Sequence, residues 1–187
     1  FPAGTVHVAV VDPGVGTARG IIAAEHAGQV FLAPDNGLLA PVLGTRPAAC
    51  YQLADGFRAA QGWDRPSATF HGRDLFAPLA AGIAAGRIAP RDIGPRIDEI
   101  IPSLLEDPAV GENEVRGVVV AVDHFGNLIT NIDGGLLTRF RAAEVLAAGR
   151  RLALRRTYGD SPPGELLALV NSFGTLEIAR AEGSAAD

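Results

Sequence analysis

Residues 6–19 read VHVAVVDPGVGTAR, and the change of character at their midpoint decides how the chain is read. An apolar, β-branched run (Val6, Val8, Val10, Val11) stops at Asp12-Pro13-Gly14-Val15-Gly16. The pattern predicts a buried strand that delivers a carboxylate to a tight glycine loop. In an open α/β sheet, the carboxyl ends of strands are where ligands bind. Asp12 therefore stands where chemistry is expected, with Arg19 closing the same loop.

Working outward, Gly20–Glu25 and Gln29–Ala33 read as the next strands, the latter ending on Pro34-Asp35-Asn36-Gly37. Gly37–Leu43 reads as a short helix and Tyr51–Leu53 as a strand. Gly56–Ser67 is looser and carries the single tryptophan, Trp63. Leu75–Ala85, small and apolar, reads as a helix buried on most sides, with Asp74 as its N-cap. Pro95, Pro102 and Pro108 then punctuate the irregular stretch 93–111, where a domain boundary is expected. Beyond it, Gly117–Val122, Asn127–Asn131, Arg151–Leu154, Leu166–Val170 and Thr175–Arg180 read as short strands separated by turn signals. Arg139–Ala148 reads as an inserted helical turn or two. The expected architecture is an α/β N-terminal domain over residues 1–98. An all-β C-terminal domain, a small β-barrel, follows over 99–187.

Composition narrows the function classes. At 187 residues with 48% hydrophobic and 20% charged, the chain is globular. The net charge of −5 and the lack of a basic cluster argue against nucleic acid as a partner. No stretch of about 18 apolar residues suggests a membrane span. All 16 basic residues are arginine, and methionine is absent. The one cysteine, Cys50, excludes an internal disulfide and fits a reducing, cytoplasmic setting. Opening on Phe1-Pro2-Ala3-Gly4 directly before a core strand, the chain reads as the interior of a longer protein.

Several groups could carry chemistry. The loop DPGVGTAR lacks the lysine of a phosphate-binding P-loop and does not match GxGxxG. Asp12 and Arg19 fit either a structural ion pair or a functional one. The four histidines (His7, His26, His71, His124) show no HxxxH or HExxH spacing, so no metal site is expected. His7 and His26 read as ordinary strand residues. His71, in a loop with Gly72, Arg73 and Asp74 before a helix, suits a positioned polar group. In the second half, Asp123-His124-Phe125-Gly126-Asn127 and Asn171-Ser172-Phe173-Gly174 each combine an aromatic with hydrogen-bonding side chains at a glycine turn. Such turns can stack on a flat heterocycle, or simply cap a hairpin.

Five motifs in order, VVDPGVGTAR, APDNG, TFHGRDLFAP, VDHFGNLITN and NSFGTLEIA, resemble the S-adenosylmethionine (SAM) hydroxide adenosyltransferases. These adenosyl-forming SAM hydrolases are relatives of the fluorinases and chlorinases. The resemblance covers nearly the whole chain. It implies a homotrimer with SAM bound at subunit interfaces, and SAM as substrate with no added cofactor. It places the family's catalytic triad on Asp12, Arg19 and His71. By the same similarity Gly72, Asp123, Phe125, Asn127, Ser172 and Phe173 bind the substrate. The implied reaction is attack of water or hydroxide on ribose C5′, giving adenosine and L-methionine. A halogenase, or a SAM- or adenosine-binding protein without turnover, is the alternative. Halogenases do not retain the Asp–Arg–His set, and the segment between Asp35 and Phe70 is too short for the fluorinase's extra loop. The family's Thr-Asp-Phe-Gly-like motif, which grips the ribose hydroxyls, has no match here, so impaired turnover by this stretch alone is expected.

Overall fold

The computed structural model describes residues 1–47 and 49–187. They form two compact units, Phe1–Leu104 and Leu105–Asp187. The first holds a four-stranded mixed sheet in the order β1-β3-β2-β4, from β1 (Val6–Val8), β2 (Ile21–His26), β3 (Gln29–Pro34) and β4 (Ala49–Gln52). β1 runs parallel to β3, whereas β2 is antiparallel to both β3 and β4. β2 is central and covered on both faces, which explains its unbroken apolar run. Ile21 and Ala23 join one apolar cluster with Leu32, Leu75, Phe76 and Leu79. Ile22 and Ala24 join another with Ala33, Leu39, Leu43 and Cys50. The Cys50 side chain is fully buried, and burial, assisted by the charge of Asp35, pushes its thiol up to about 11.

Among the described residues, three short α-helices accompany this sheet: α1 (Ala40–Leu43), α2 (Asp55–Ala60) and α3 (Ala77–Ala84). In place of the single helix expected over Leu75–Ala85, a π-helical turn over Gly72–Phe76 runs directly into α3. Asp74 lies inside that turn and is not an N-cap. Its carboxylate reaches back to the Ser67 N–H (2.8 Å) and sideways to Arg73. The stretch expected to be loose contains α2, whose only inward anchor is Phe57, packed edge-on to Trp63. The expectation of a buried first strand also fails. β1 is an edge strand, and Val8, Val10 and Val11 are 45%, 41% and 65% exposed. Its β-branched composition reports strand propensity, not burial.

The second unit is built mostly of strands: β5 (Ala109–Val110), β6 (Val115–Arg116), β7 (Val119–Val122), β8 (Leu128–Asp133), β9 (Val145–Ala147), β10 (Arg150–Leu154), β11 (Leu166–Val170) and β12 (Thr175–Arg180). Six of them form one sheet in the order β7-β8-β12-β11-β10-β9. Only the β10–β11 pair is parallel. Among the described residues no pairing joins β9 back to β7, so the sheet is half of a barrel wall with two edges. Its faces are distinct, as strand alternation requires. Leu176 and Ile178 of β12 pack with Ile132, Leu152 and Ala168 on one side. Ala179 packs with Leu167 and Leu169 on the other. The helical insertion expected over Arg139–Ala148 is replaced by a 3₁₀ segment at Gly134–Arg139 followed by β9. The 3₁₀ segment is capped by the Asp133 side chain, which accepts from the Gly135 N–H. Among the described residues, no helix is long and apolar enough to cross a membrane.

Candidate active site

Asp12 leaves the end of β1 under three constraints. Ala9 donates to the Leu32 carbonyl (2.9 Å), carrying the parallel pairing past the strand proper. Asn36, in the turn after β3, donates its side-chain N–H to the Val11 carbonyl (2.9 Å). Two consecutive turns then close the loop, Val15 N–H to the Asp12 carbonyl (3.2 Å) and Thr17 N–H to the Gly14 carbonyl (3.1 Å). Gly16 sits at φ +79°, and a Cβ there would fall 2.3 Å from the Ala68 carbonyl oxygen. Only glycine tolerates both demands, and it thereby lets the segment leading to His71 settle on the Asp12 loop.

His71 is the residue before the π-helical turn. Such widened turns recur at functional sites because they displace a side chain from regular helical register. The turn is tied down by Asp74, whose bond from Arg73, helped by the one from Ser67, holds its carboxyl at about 2. Arg19 bridges the two segments. Its Nε (2.9 Å) and Nη2 both donate to Asp12 Oδ2, and Nη2 also lies 2.8 Å from His71 Nδ1. The Phe76 ring supports the guanidinium at 5.9 Å. The Asp12 and Arg19 side chains are 4% and 10% exposed, and His71 is 7% exposed.

This arrangement fixes a protonation state. A guanidinium can only donate, so His71 Nδ1 must accept, and the ring is neutral with its hydrogen on Nε2. Burial first, then the Arg19 charge, lower the His71 pKa from its ordinary value. Arg58 adds to this, while Asp12 and Asp74 oppose it. Asp12 Oδ2 is doubly engaged, but Asp12 Oδ1 is buried without a hydrogen-bond partner among the described residues. A carboxylate oxygen has two lone pairs, so Oδ1 keeps the capacity to accept a further hydrogen bond. A cavity of about 380 Å³ opens beside Arg19 and His71, lined also by Thr17, Gln52, Arg58 and Pro95.

The structure thus joins Asp12, Arg19 and His71 in one hydrogen-bonded chain. Gly72 follows His71 at the start of the π turn, where a Cβ would make only an ordinary contact with Val10. His7 is a strand residue, stacked on Phe31 and bonded to Gln29. In the second unit, Asp123 organises its own turn. Its oxygens accept from the Phe125 and Asn127 N–H groups and from Asn127 Nδ2, at 2.8–3.0 Å. Burial would raise its pKa, but the bonds from Asn127, Phe125 and Gly126 outweigh that and hold it below the ordinary carboxylate value. Asn127 is buried and Phe125 is 75% exposed. Ser172 and the 87%-exposed Phe173 lie in the β11–β12 turn. In the β8–β12 register Leu128 faces Ile178 and Asp133 faces Thr175, so the two turns sit at opposite ends of that ladder.

Sequence reading misses four residues that shape these places. Asn36 and Phe76 lie inside recognisable motifs, but their partners are distant in sequence. Arg58 carries no local signal at all. Glu177 does carry one, as the single charge inside the apolar strand TLEIA.

Two family models match the chain. That of the SAM hydroxide adenosyltransferase N-terminal domain matches residues 1–94, and that of the C-terminal domain matches 117–187. An (R)-S-adenosyl-L-methionine hydrolase of Salinispora arenicola is 43% identical over 97% of this chain and 69% of its own length. One of Thermus thermophilus is 39% identical over 99% of this chain and 71% of its own length. The crystal structure of an uncharacterized conserved protein from Thermotoga maritima superposes with a TM-score of 0.82 at 36% identity. That match covers 99% of this chain and 73% of the other.

Proposed function

The chain belongs to the SAM hydroxide adenosyltransferase family, and on that premise we propose how its own residues carry the reaction. It is an adenosyl-forming SAM hydrolase, which converts SAM and water to adenosine and L-methionine. SAM carries a sulfonium, so methionine leaves C5′ as a neutral thioether and no general acid is needed on that side. The demand falls on the nucleophile, because water is weak and hydroxide scarce at neutral pH.

The observation that carries the reading is the division of labour around Arg19. The guanidinium engages Asp12 Oδ2 and His71 Nδ1, leaving Asp12 Oδ1 buried and, among the described residues, unpartnered. We assign Asp12 Oδ1 to accept the proton of the attacking water. His71, whose Nδ1 is occupied by Arg19, offers its Nε2 hydrogen to orient that water. Arg19 supplies positive charge beside the developing hydroxide. Placement in line with the C5′–S bond provides the rest. Gly72, Asp123, Phe125, Asn127, Ser172 and Phe173 are proposed to contact SAM, the exposed aromatics offering stacking faces and the turns hydrogen-bonding groups.

We read the two units as the family's α/β domain and its small barrel domain, and the working state as a homotrimer in the cytoplasm. Exposed Phe125 and Phe173 support that assembly, and the unpaired Cys50 is compatible with a reducing compartment. No cofactor is invoked.

The test is product analysis with SAM in chloride-containing buffer. Adenosine should form, and Arg19→Ala or His71→Ala should cut its rate by about 10²–10⁴-fold. A 5′-chloro-nucleoside would move the chain to the halide-using branch. SAM binding without any nucleoside product would leave a binding protein.

A further inference from the structure

Glu177 is an unusual residue to find in a sheet core. It sits mid-strand in β12 opposite Leu169 and is 3% exposed. Both oxygens are taken by neutral donors, Oε1 by the Tyr158 hydroxyl (2.8 Å) and Oε2 by Asn171 Nδ2 (3.1 Å). A carboxylate buried against neutral partners costs stability compared with an apolar residue of similar size. Strand stability alone therefore does not account for it.

Its partners do. Asn171 is the first residue of the NSFG turn, and its other side-chain atom, Oδ1, accepts from the Phe173 N–H (3.0 Å), the Thr175 N–H (3.2 Å) and the Thr175 hydroxyl (3.2 Å). The amide can satisfy the turn through Oδ1 only if Nδ2 points the other way, and Glu177 is what holds it there. Tyr158 is equally fixed. It opens a 3₁₀ turn closed by a reciprocal cap in which Thr157 accepts from Gly159 N–H and Asp160 accepts from Thr157 N–H. Burial, the Glu177 bond and the charges of Glu177 and Asp123 push the phenol up to about 12, so it remains a donor. In the β8–β12 ladder Glu177 faces Ile129, between the Leu128–Ile178 and Asp133–Thr175 pairs that mark its two ends.

We propose that Glu177 is a positioning residue for substrate, which acts through Asn171 to lock the Ser172–Phe173 turn in its binding shape, with Tyr158 bracing it from behind. This deepens the functional reading and rests on Ser172 and Phe173 touching SAM.

The experiment is a polarity-swap cycle with SAM as the probe. Glu177→Gln leaves one oxygen for two donors, so either Asn171 Nδ2 or the Tyr158 hydroxyl loses its acceptor. In Asn171→Asp two carboxylates face each other. The double variant restores one donor and one acceptor at unchanged net charge, while the carboxylate introduced in place of Asn171 keeps an oxygen that serves Phe173 and Thr175. Asn171→Asp should raise KM about tenfold with kcat within about twofold, Glu177→Gln should raise it less, and the double variant should return KM to within about twofold of the parent. Unchanged KM in Asn171→Asp, a fall in kcat at constant KM, or a double variant no better than Asn171→Asp would each overturn the assignment. Should Glu177→Gln fail to fold, Tyr158→Phe removes one of the two bonds at a 46%-exposed side chain and must by itself raise KM about threefold. Phe173→Ala controls the reading beneath. If it leaves KM unchanged, the turn does not meet substrate and the proposal falls with that reading. If it raises KM while the Glu177 cycle is flat, the turn binds SAM and Glu177 alone is misassigned.

Discussion

At the scale of residues, the behaviour of the site follows from one geometric fact, that Arg19 can only donate. It keeps His71 neutral through Nδ1, and burial together with the cationic neighbours holds the ring's pKa below its usual value near 6.5. The folded state therefore binds this proton less readily than the unfolded chain. The stability His71 contributes is complete above about pH 6.5 and is lost as pH falls through its lowered value. Activity should follow the same sign. The acid limb of kcat/KM for SAM is expected below about pH 6.5, and Arg58→Ala, by deleting one positive charge, should move it upward. A limb that stays fixed in Arg58→Ala would sever Arg58 from His71. Much of this cluster was legible beforehand. Asp12, Arg19 and His71 stood at a strand end, a loop end and a helix start, where polar side chains have little packing reason to be. Arg58 and Asn36 were not legible, because a residue that acts by charge, or by one bond to a carbonyl 25 positions away, leaves no local pattern.

Elements position these residues through close approach more than through length. The loop after β1 and the segment before the π turn touch where Gly16 meets the Ala68 carbonyl, and that contact sets the spacing of Asp12 from His71. Gly16→Ala meets both a left-handed backbone and a 2.3 Å clash. It should cost about 1–3 kcal/mol in denaturant titration. It should also depress kcat more than its loss of stability explains, since the segment leading to His71 must withdraw. A Gly16→Ala protein with parental kcat would show that the two loops are not mutually set. Sequence periodicity finds the elements whose side chains alternate or pack, such as β2, β3, β11 and β12. It misplaces those governed by context. β1 is β-branched yet lies at a sheet edge. The helix at Leu75 starts earlier because Ala77 N–H bonds to the Gly72 carbonyl, a five-residue step that composition does not encode. α2 escapes notice because its inward face amounts to one phenylalanine.

For the whole molecule, the informative quantity is apolar surface left in water. Phe125 and Phe173 are 75% and 87% exposed, in turns whose backbone N–H groups are held by Asp123 and Asn171. Aromatics held rigidly outward favour a contact surface over a disordered tip. Light scattering should give three times the 19.3 kDa chain mass, and a monomer at micromolar concentration would contradict the proposed assembly. Five of the six strands of the half-barrel sheet were legible as short apolar runs between turns, and β9, which read as a helical turn, was not. The parallel β10–β11 pairing was not legible either, because pairing direction depends on which segments meet. One buried atom has a practical consequence for this whole molecule. Cys50 is the single sulfur in the chain, fully enclosed and with its thiol at about 11, so maleimides and similar reagents have almost no thiolate to attack. A cysteine introduced at an exposed tip would then be the sole labelling position, which makes the native chain ready for site-specific fluorophores without first removing its own thiol.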